Sequence, residues 1–295
     1  MSTNPPQNVL PSSLLEYRST STVGDKLEAI IAPLVTAFHE GTLTRAWPHK
    51  VKGLLPLNDT SKQILRTLNG YRHRSWQDIE VYALDLGPNS GIPPQNTAGS
   101  YIDQSIPETM RRSLITFNAC TIQNMCLWNT VKELVRKHPD FLAVQWLVVE
   151  PKPRHLLLYH DPATSEGRHP RYSTHTILKI IDKHGDSWVV DATGYQFGYP
   201  CWFYGWMEYR NNFIDSNELG SMVVYTNYQI AQVLEGGNDV FSRLVTGLRS
   251  MFEMIVRRFG YTLRDLDDCD LDQLGKDMAL GIREIMEPAE WKGLM

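Results

Sequence analysis

The sequence predicts an α+β fold, with helices at both ends of the chain around a central antiparallel sheet, and three observations carry that expectation. Apolar residues recur at intervals of three and four near the N-terminus and again beyond Asn238. Short apolar runs bounded by turn residues crowd the middle of the chain. Between the two patterns lies one long helical stretch, Cys120 to Lys137.

Residues 1–12 are polar and contain prolines, and are expected to form a poorly ordered leader. The remainder, 13–295, is expected to form one domain, with a helical N-terminal extension over about 13–107 and a helical C-terminal extension over about 228–295. The first helix opens near Thr22, places Leu27, Ile30, Ile31, Leu34, Val35 and Phe38 on one side, and should end at Gly41. Pro48 to Pro56 reads as a connector, and a second helix follows Asn58-Asp59-Thr60 and stops at Asn69-Gly70. The Gly- and Pro-rich stretch Gly87 to Pro107 is long enough to be a lid or binding loop.

Glu108 to Ile115 reads as a short helix, broken by Thr116-Phe117-Asn118-Ala119 before the Cys120 helix, which ends ahead of His138-Pro139. Strands are expected over Phe141–Glu150, His155–His160, Ser173–Asp182, Ser187–Thr193 and Met222–Tyr225. The third and fourth form a hairpin around Lys183-His184-Gly185-Asp186. From Asn238 an apolar stripe through Val240, Leu244, Leu248, Phe252 and Ile255 predicts helix.

Composition narrows the class. Apolar content of 42% and charged content of 21% are those of a globular protein. A net charge of −4 argues against a dedicated nucleic-acid binder. There is no long apolar run and no signal-like N-terminus, so a cytoplasmic protein with no membrane partner is expected. Cys120, Cys126, Cys201 and Cys269 have no framework spacing and read as reduced thiols.

Cys120 opens its helix and shares a face with Leu127, Val131 and Leu134. Unpaired N–H groups and the positive end of the helix dipole favour a thiolate at that position. Cys126 falls deeper and off that line, and is the reserve nucleophile. In the hairpin, strand parity puts His175 near Asp191: directly across if the turn centres on Lys183, diagonal if it centres one residue later. Either way a carboxylate is placed to hold an imidazole.

The stretch from His175 through His184-Gly185 to Trp188-Val-Val-Asp191-Ala-Thr193-Gly194 resembles the papain/transglutaminase-like core, where a helix-opening cysteine is followed by a strand histidine and a W-x-x-D-x-T strand. Asp191 to Gly198 is also similar to fungal proteins of this type. The resemblance spans roughly 118–200 and implies a nucleophile helix packed on the central antiparallel sheet. It makes Cys120 the nucleophile, His175 the base and Asp191 the orienting acid of an acyl transfer through a thioester, with no cofactor. Gln123, Gln196, Trp188 and Tyr195 are candidates for oxyanion or substrate contacts. The substrate would be a small molecule, a peptide or an acyl donor.

Other readings compete. The same fold could form amides in specialised metabolism, as a cyclodipeptide-type synthase using a carrier- or tRNA-linked donor near Arg136, Lys137, Lys152 and Arg154. It could also be an inactive binding module whose groove is lined by the aromatic run from Tyr195 to Tyr209. A metal-dependent hydrolase is disfavoured, because His155 and His160 have opposite strand parity and no H-E-x-x-H is present.

Overall fold

A computed structural model describes residues 22–43, 50–67, 79–86, 102–163, 174–215, 222–235, 250 and 253. The leader, most of the Gly/Pro-rich stretch, Cys269 and nearly all of the apolar stripe beyond Asn238 lie outside them. Six α-helices alternate with eight strands in the described chain: α1 Val23–Leu43, β1 Gly53–Pro56, α2 Asp59–Thr67, β2 Glu80–Asp85, α3 Glu108–Thr116, α4 Cys120–Lys137, β3 Phe141–Val149, β4 His155–Leu158, β5 His175–Asp182, β6 Ser187–Val190, β7 Phe203–Gly205, α5 Trp206–Phe213, β8 Met222–Val224 and α6 Asn227–Glu235. A 3-10 turn over Gly194–Phe197 joins β6 to the aromatic segment.

The mixed α and β class is therefore present, with two sheets where the sequence led us to expect one. The larger is antiparallel throughout, in the order β7-β6-β5-β3-β8. The smaller has the order β1-β2-β4, with β2 antiparallel to β1 and parallel to β4. The expected connector over Pro48–Pro56 thus contains a strand, and the expected helical extension over 13–107 contains two. Helix α1 also runs two residues past Gly41. β1 and β2 escaped notice because each is short and they pair across 25 or more residues, whereas periodicity reports only local order. β4, grouped by sequence with the central strands, pairs instead with β2.

The five-stranded sheet is buried on both faces, which explains why β5 reads as an almost unbroken apolar run. On one face Trp146, Leu178, Ile180 and Val190 meet Leu127, Val131 and Leu134 of α4 and Leu27, Ile31 and Leu34 of α1. On the other, Leu147, Val149, Ile177 and Val189 meet β2, β4 and a buried aromatic group that includes Phe197, Tyr199 and Tyr209. Helices α1 and α4 therefore cover one side, and the second sheet with the aromatic segment covers the other.

The hairpin register settles the open question of the turn. Leu178 pairs with Val190 and Ile180 with Trp188, so the turn centres on His184 and Asp191 lies opposite Ile177. His175 and Asp191 are diagonal neighbours on the same face, the second of the two arrangements expected.

Trp146 carries much of the packing between α4 and the sheet. It is fully buried, its ring lies 6.1 Å from Trp128 and 6.0 Å from Tyr225, and its indole N–H has no hydrogen-bond partner. Trp146→Ala is expected to cost about 3–5 kcal/mol, all of it packing. Urea denaturation checks this, and a loss below about 1 kcal/mol would contradict the placement of the ring.

Candidate active site

The turn ahead of α4 sets the position of Cys120. Asn118 has φ of 55°, a left-handed conformation that asparagine tolerates better than most side chains. Its N–H donates to Gln196 Oε1 at 3.0 Å, which fastens the turn to the 3-10 segment. Ala119 is the N-cap and supplies no side-chain acceptor, so the first-turn N–H groups of α4 are left without a side-chain cap. Cys120 occupies the first helical position and is partly exposed.

His175 and Asp191 are both fully buried, and the imidazole Nε2–H donates to Asp191 Oδ1 at 2.9 Å. The ring packs edge-on to Phe197, with centroids 4.9 Å apart. Asp191 accepts further bonds. The Tyr209 hydroxyl donates to Oδ2 at 2.7 Å, and the Thr193 N–H and hydroxyl approach Oδ1 at 3.3 and 3.4 Å. A carboxylate removed from water is tolerable with this many donors.

Nδ1 of His175 and Oγ1 of Thr176 are buried without a hydrogen-bond partner of their own, and both residues act on Cys120. With Nε2 committed to Asp191, Nδ1 is the ring nitrogen left for the sulfur. Burial pushes the Cys120 thiol up, but the neighbouring His175 ring with its charge, and then Thr176, hold it below the usual thiol range. Burial likewise disfavours a charged His175; the Asp191 carboxylate and the Cys120 sulfur reverse this and push the ring up to about 10. The stabilisation from protonated His175 is thus complete below about pH 6.5, its unfolded value, and is lost as pH rises through about 10. Both shifts act in the same sense, favouring a thiolate on Cys120 and a proton on His175.

The other residues singled out by sequence fall in different places. Cys126 is wholly buried among Leu127, Val131 and the sheet, so the reserve nucleophile has no path to substrate. Gln123 is also wholly buried, not at the surface. Its Oε1 accepts from the Thr193 hydroxyl at 3.1 Å and its Nε2 donates to Asn124 Oδ1 at 2.9 Å, so it ties α4 to the Asp191–Thr193 turn and has no amide left for an oxyanion. Trp188 pairs with Ile180, five residues along β5 from His175, or roughly 16 Å. It packs edge-on to Phe141 and against Gly24 of α1, and is no part of the site. Gln196 is buried beside the Cys120 turn with Nε2 unpartnered. Tyr195 is half-buried at the rim, under the Arg112 guanidinium at 5.7 Å and against the His39 ring at 5.6 Å.

Three participants had no sequence signal strong enough to single them out. Thr176 is one strand position past His175, Tyr209 lies in a helix 18 residues beyond Asp191, and His39 comes from α1. His39 Nε2–H donates to the Ala192 carbonyl at 2.5 Å, and burial holds it below the usual histidine range although that carbonyl acts the other way. The aromatic run divides: Phe197, Tyr199, Tyr204 and Tyr209 are core, while Tyr195, Trp202, Phe203 and Trp206 are half-exposed.

A second serine–histidine contact is structural. Ser113 Oγ lies 3.0 Å from His155 Nε2, but the hydroxyl is buried and donates to the Tyr195 carbonyl at 2.7 Å. It binds α3 and β4 to the segment that carries Gln196. Among the described residues no three His, Cys, Asp or Glu side chains are grouped to hold a metal, and no helix is long and apolar enough to cross a membrane. Neither a family model, nor a curated protein, nor a solved structure matches the chain.

Gly194 backs the carboxylate. A Cβ there would stand 2.6 Å from Asp191 Oδ2 and 2.8 Å from Tyr199 Cδ2. Gly194→Ala is expected to lower stability by about 1–3 kcal/mol and to slow alkylation of Cys120, because the carboxylate must shift from its donors. Denaturation and thiol labelling check both; a variant unchanged in both respects would contradict the packing around Asp191.

Proposed function

We propose that the chain is a thiol enzyme of acyl transfer built on a papain/transglutaminase-like core, with Cys120 as nucleophile, His175 as acid and base, and Asp191 as the group that orients and charges the ring. The observation that carries this reading is the buried His175–Asp191 pair at 2.9 Å beside a partly exposed cysteine held below the usual thiol range. A structural ion pair has no need of a sulfur at its free end.

The Cys120 thiolate attacks an acyl carbonyl carbon, forming the C–S bond and moving the π electrons to oxygen. First-turn N–H groups of α4 and the unpartnered Nε2 of Gln196 are the donors nearest to that oxyanion. Collapse expels an amine or alkoxide, which takes the proton from His175. Water or a second amine then gives its proton to His175, attacks the thioester and releases the thiolate. The half-exposed Tyr195 at the rim is the nearest candidate surface for the acyl group, whose chemistry is that of an amide, ester or activated acyl donor.

Iodoacetamide labelling of the full chain at about pH 6, with peptide mapping, tests the reading. Cys120 is expected to react at least about tenfold faster than Cys201, although Cys201 is the more exposed, and Cys126 should be inert in the folded protein. Cys120→Ser should remove the fast phase, and His175→Ala should slow it to the rate of an ordinary thiol. Uniformly slow labelling of all cysteines at this pH would refute a poised nucleophile.

A further inference from the structure

The two oxygens of Asp191 have separate partners. Oδ1 receives His175 and Thr193, while Oδ2 faces Gly194 and the hydroxyl of Tyr209 at 2.7 Å. Tyr209 belongs to α5, outside the hairpin, and is wholly buried. Its ring is wedged edge-on to Tyr199 at 6.1 Å and tilted against Tyr204 at 5.5 Å and Phe213 at 5.4 Å, so the phenol has little room to swing away. We propose that Tyr209 is a positioning residue of the thiol site, its hydroxyl fixing the Asp191 carboxylate in the charged, oriented form that keeps His175 cationic opposite Cys120. This inference rests on the acyl-transfer reading, in which the thiolate matters.

Other groups do not supply the same restraint. Burial, and then the Asp191 charge, push the Tyr209 phenol well above its ordinary value, so it remains a donor throughout the working range. Around Asp191 stand His175 from β5, Thr193 from the adjoining turn and Tyr209 from α5, with His39, Tyr195 and Tyr204 acting through charge at longer range and Cys120 beyond the imidazole. Burial holds His39 below the usual histidine range and raises Tyr195 and Tyr204, and among the described residues the cationic side chain hydrogen-bonded to the carboxylate is His175. Without Tyr209, Oδ2 would lose the hydrogen bond it receives among the described residues, and a buried carboxylate short of a donor is disfavoured in its charged form. His175 would then be held less firmly as a cation, and the Cys120 thiolate opposite it would need a higher pH to form.

The test is the pH dependence of Cys120 alkylation by iodoacetamide in the full chain, for wild type, Tyr209→Phe and Tyr199→Phe. Tyr199 sits in the same aromatic group and donates to the Phe213 carbonyl at 3.0 Å, so its variant loses a comparable bond away from the carboxylate. Tyr209→Phe is expected to raise the acid-side midpoint by about one pH unit, the size of one hydrogen bond to a charged group, while Tyr199→Phe leaves it in place. Should Tyr209→Phe not fold, 3-fluorotyrosine at position 209 strengthens the donor and is expected to lower the midpoint. A midpoint unmoved by either change at position 209, with only the melting temperature altered, overturns the positioning role and leaves the thiol reading intact. A wild-type thiol that titrates in the ordinary range overturns both.

Discussion

Burying a carboxylate costs several kcal/mol unless its lone pairs are filled, and that constraint organises this fold around Asp191. The donors come from three places: His175 on β5, Thr193 in the following turn, whose hydroxyl also donates to Gln123 Oε1 on α4, and Tyr209 on α5. They lie on separate segments, so the carboxylate is satisfied only when the hairpin, the turn braced by α4 and helix α5 are all in place. The chemistry inherits this cooperativity. The charge that orients His175 also favours its protonated form, and in the proposed reading that proton favours the thiolate of Cys120.

The second sheet serves the site indirectly. β4 delivers His155, which with Ser113 of α3 holds the Tyr195 carbonyl, and the following residue, Gln196, reaches the N–H of Asn118 two positions ahead of Cys120. Gly198, at φ of 77°, closes that segment so tightly on His155 that a Cβ would stand 2.8 Å from Nδ1. The left-handed Asn118 and the left-handed Gly198 thus bracket one small assembly whose product is the position of the first turn of α4. Helix α1 closes the other side through His39 and the Ala192 carbonyl.

Local order was legible in the sequence; distant order was not. The bounds of α4, the hairpin and the shared face of His175 and Asp191 follow from periodicity and parity, because each involves neighbours within one element or across one tight turn; the choice between across and diagonal came only with the register. The pairing of β2 with β4, Glu80 with His155 through Ala83 with Leu158, joins distant parts of the chain and leaves no periodic trace. Trp188 was drawn toward the site by the motif it shares with Asp191, yet strand parity turns it to the helix-covered face. Gln123 and Gln196 could not be separated by sequence, since both are polar residues near the same turn. Only the partners decide: Thr193 and Asn124 occupy the first, and Asn118 leaves the amide nitrogen of the second unspent. Tyr209 sat unnoticed among eight aromatics because its hydroxyl, not its ring, distinguishes it.

The claim at the centre is that Cys120 rests as a thiolate because a buried, fully bonded Asp191 keeps His175 protonated. Thiolate absorbance near 240 nm, followed against pH in the folded protein with Cys120→Ser as the blank, reads this directly. The account predicts one thiolate already present well below the ordinary thiol range, its absorbance persisting after the ring gives up its proton near 10. A difference spectrum that rises only around pH 8.5, the range of an unperturbed thiol, would contradict it.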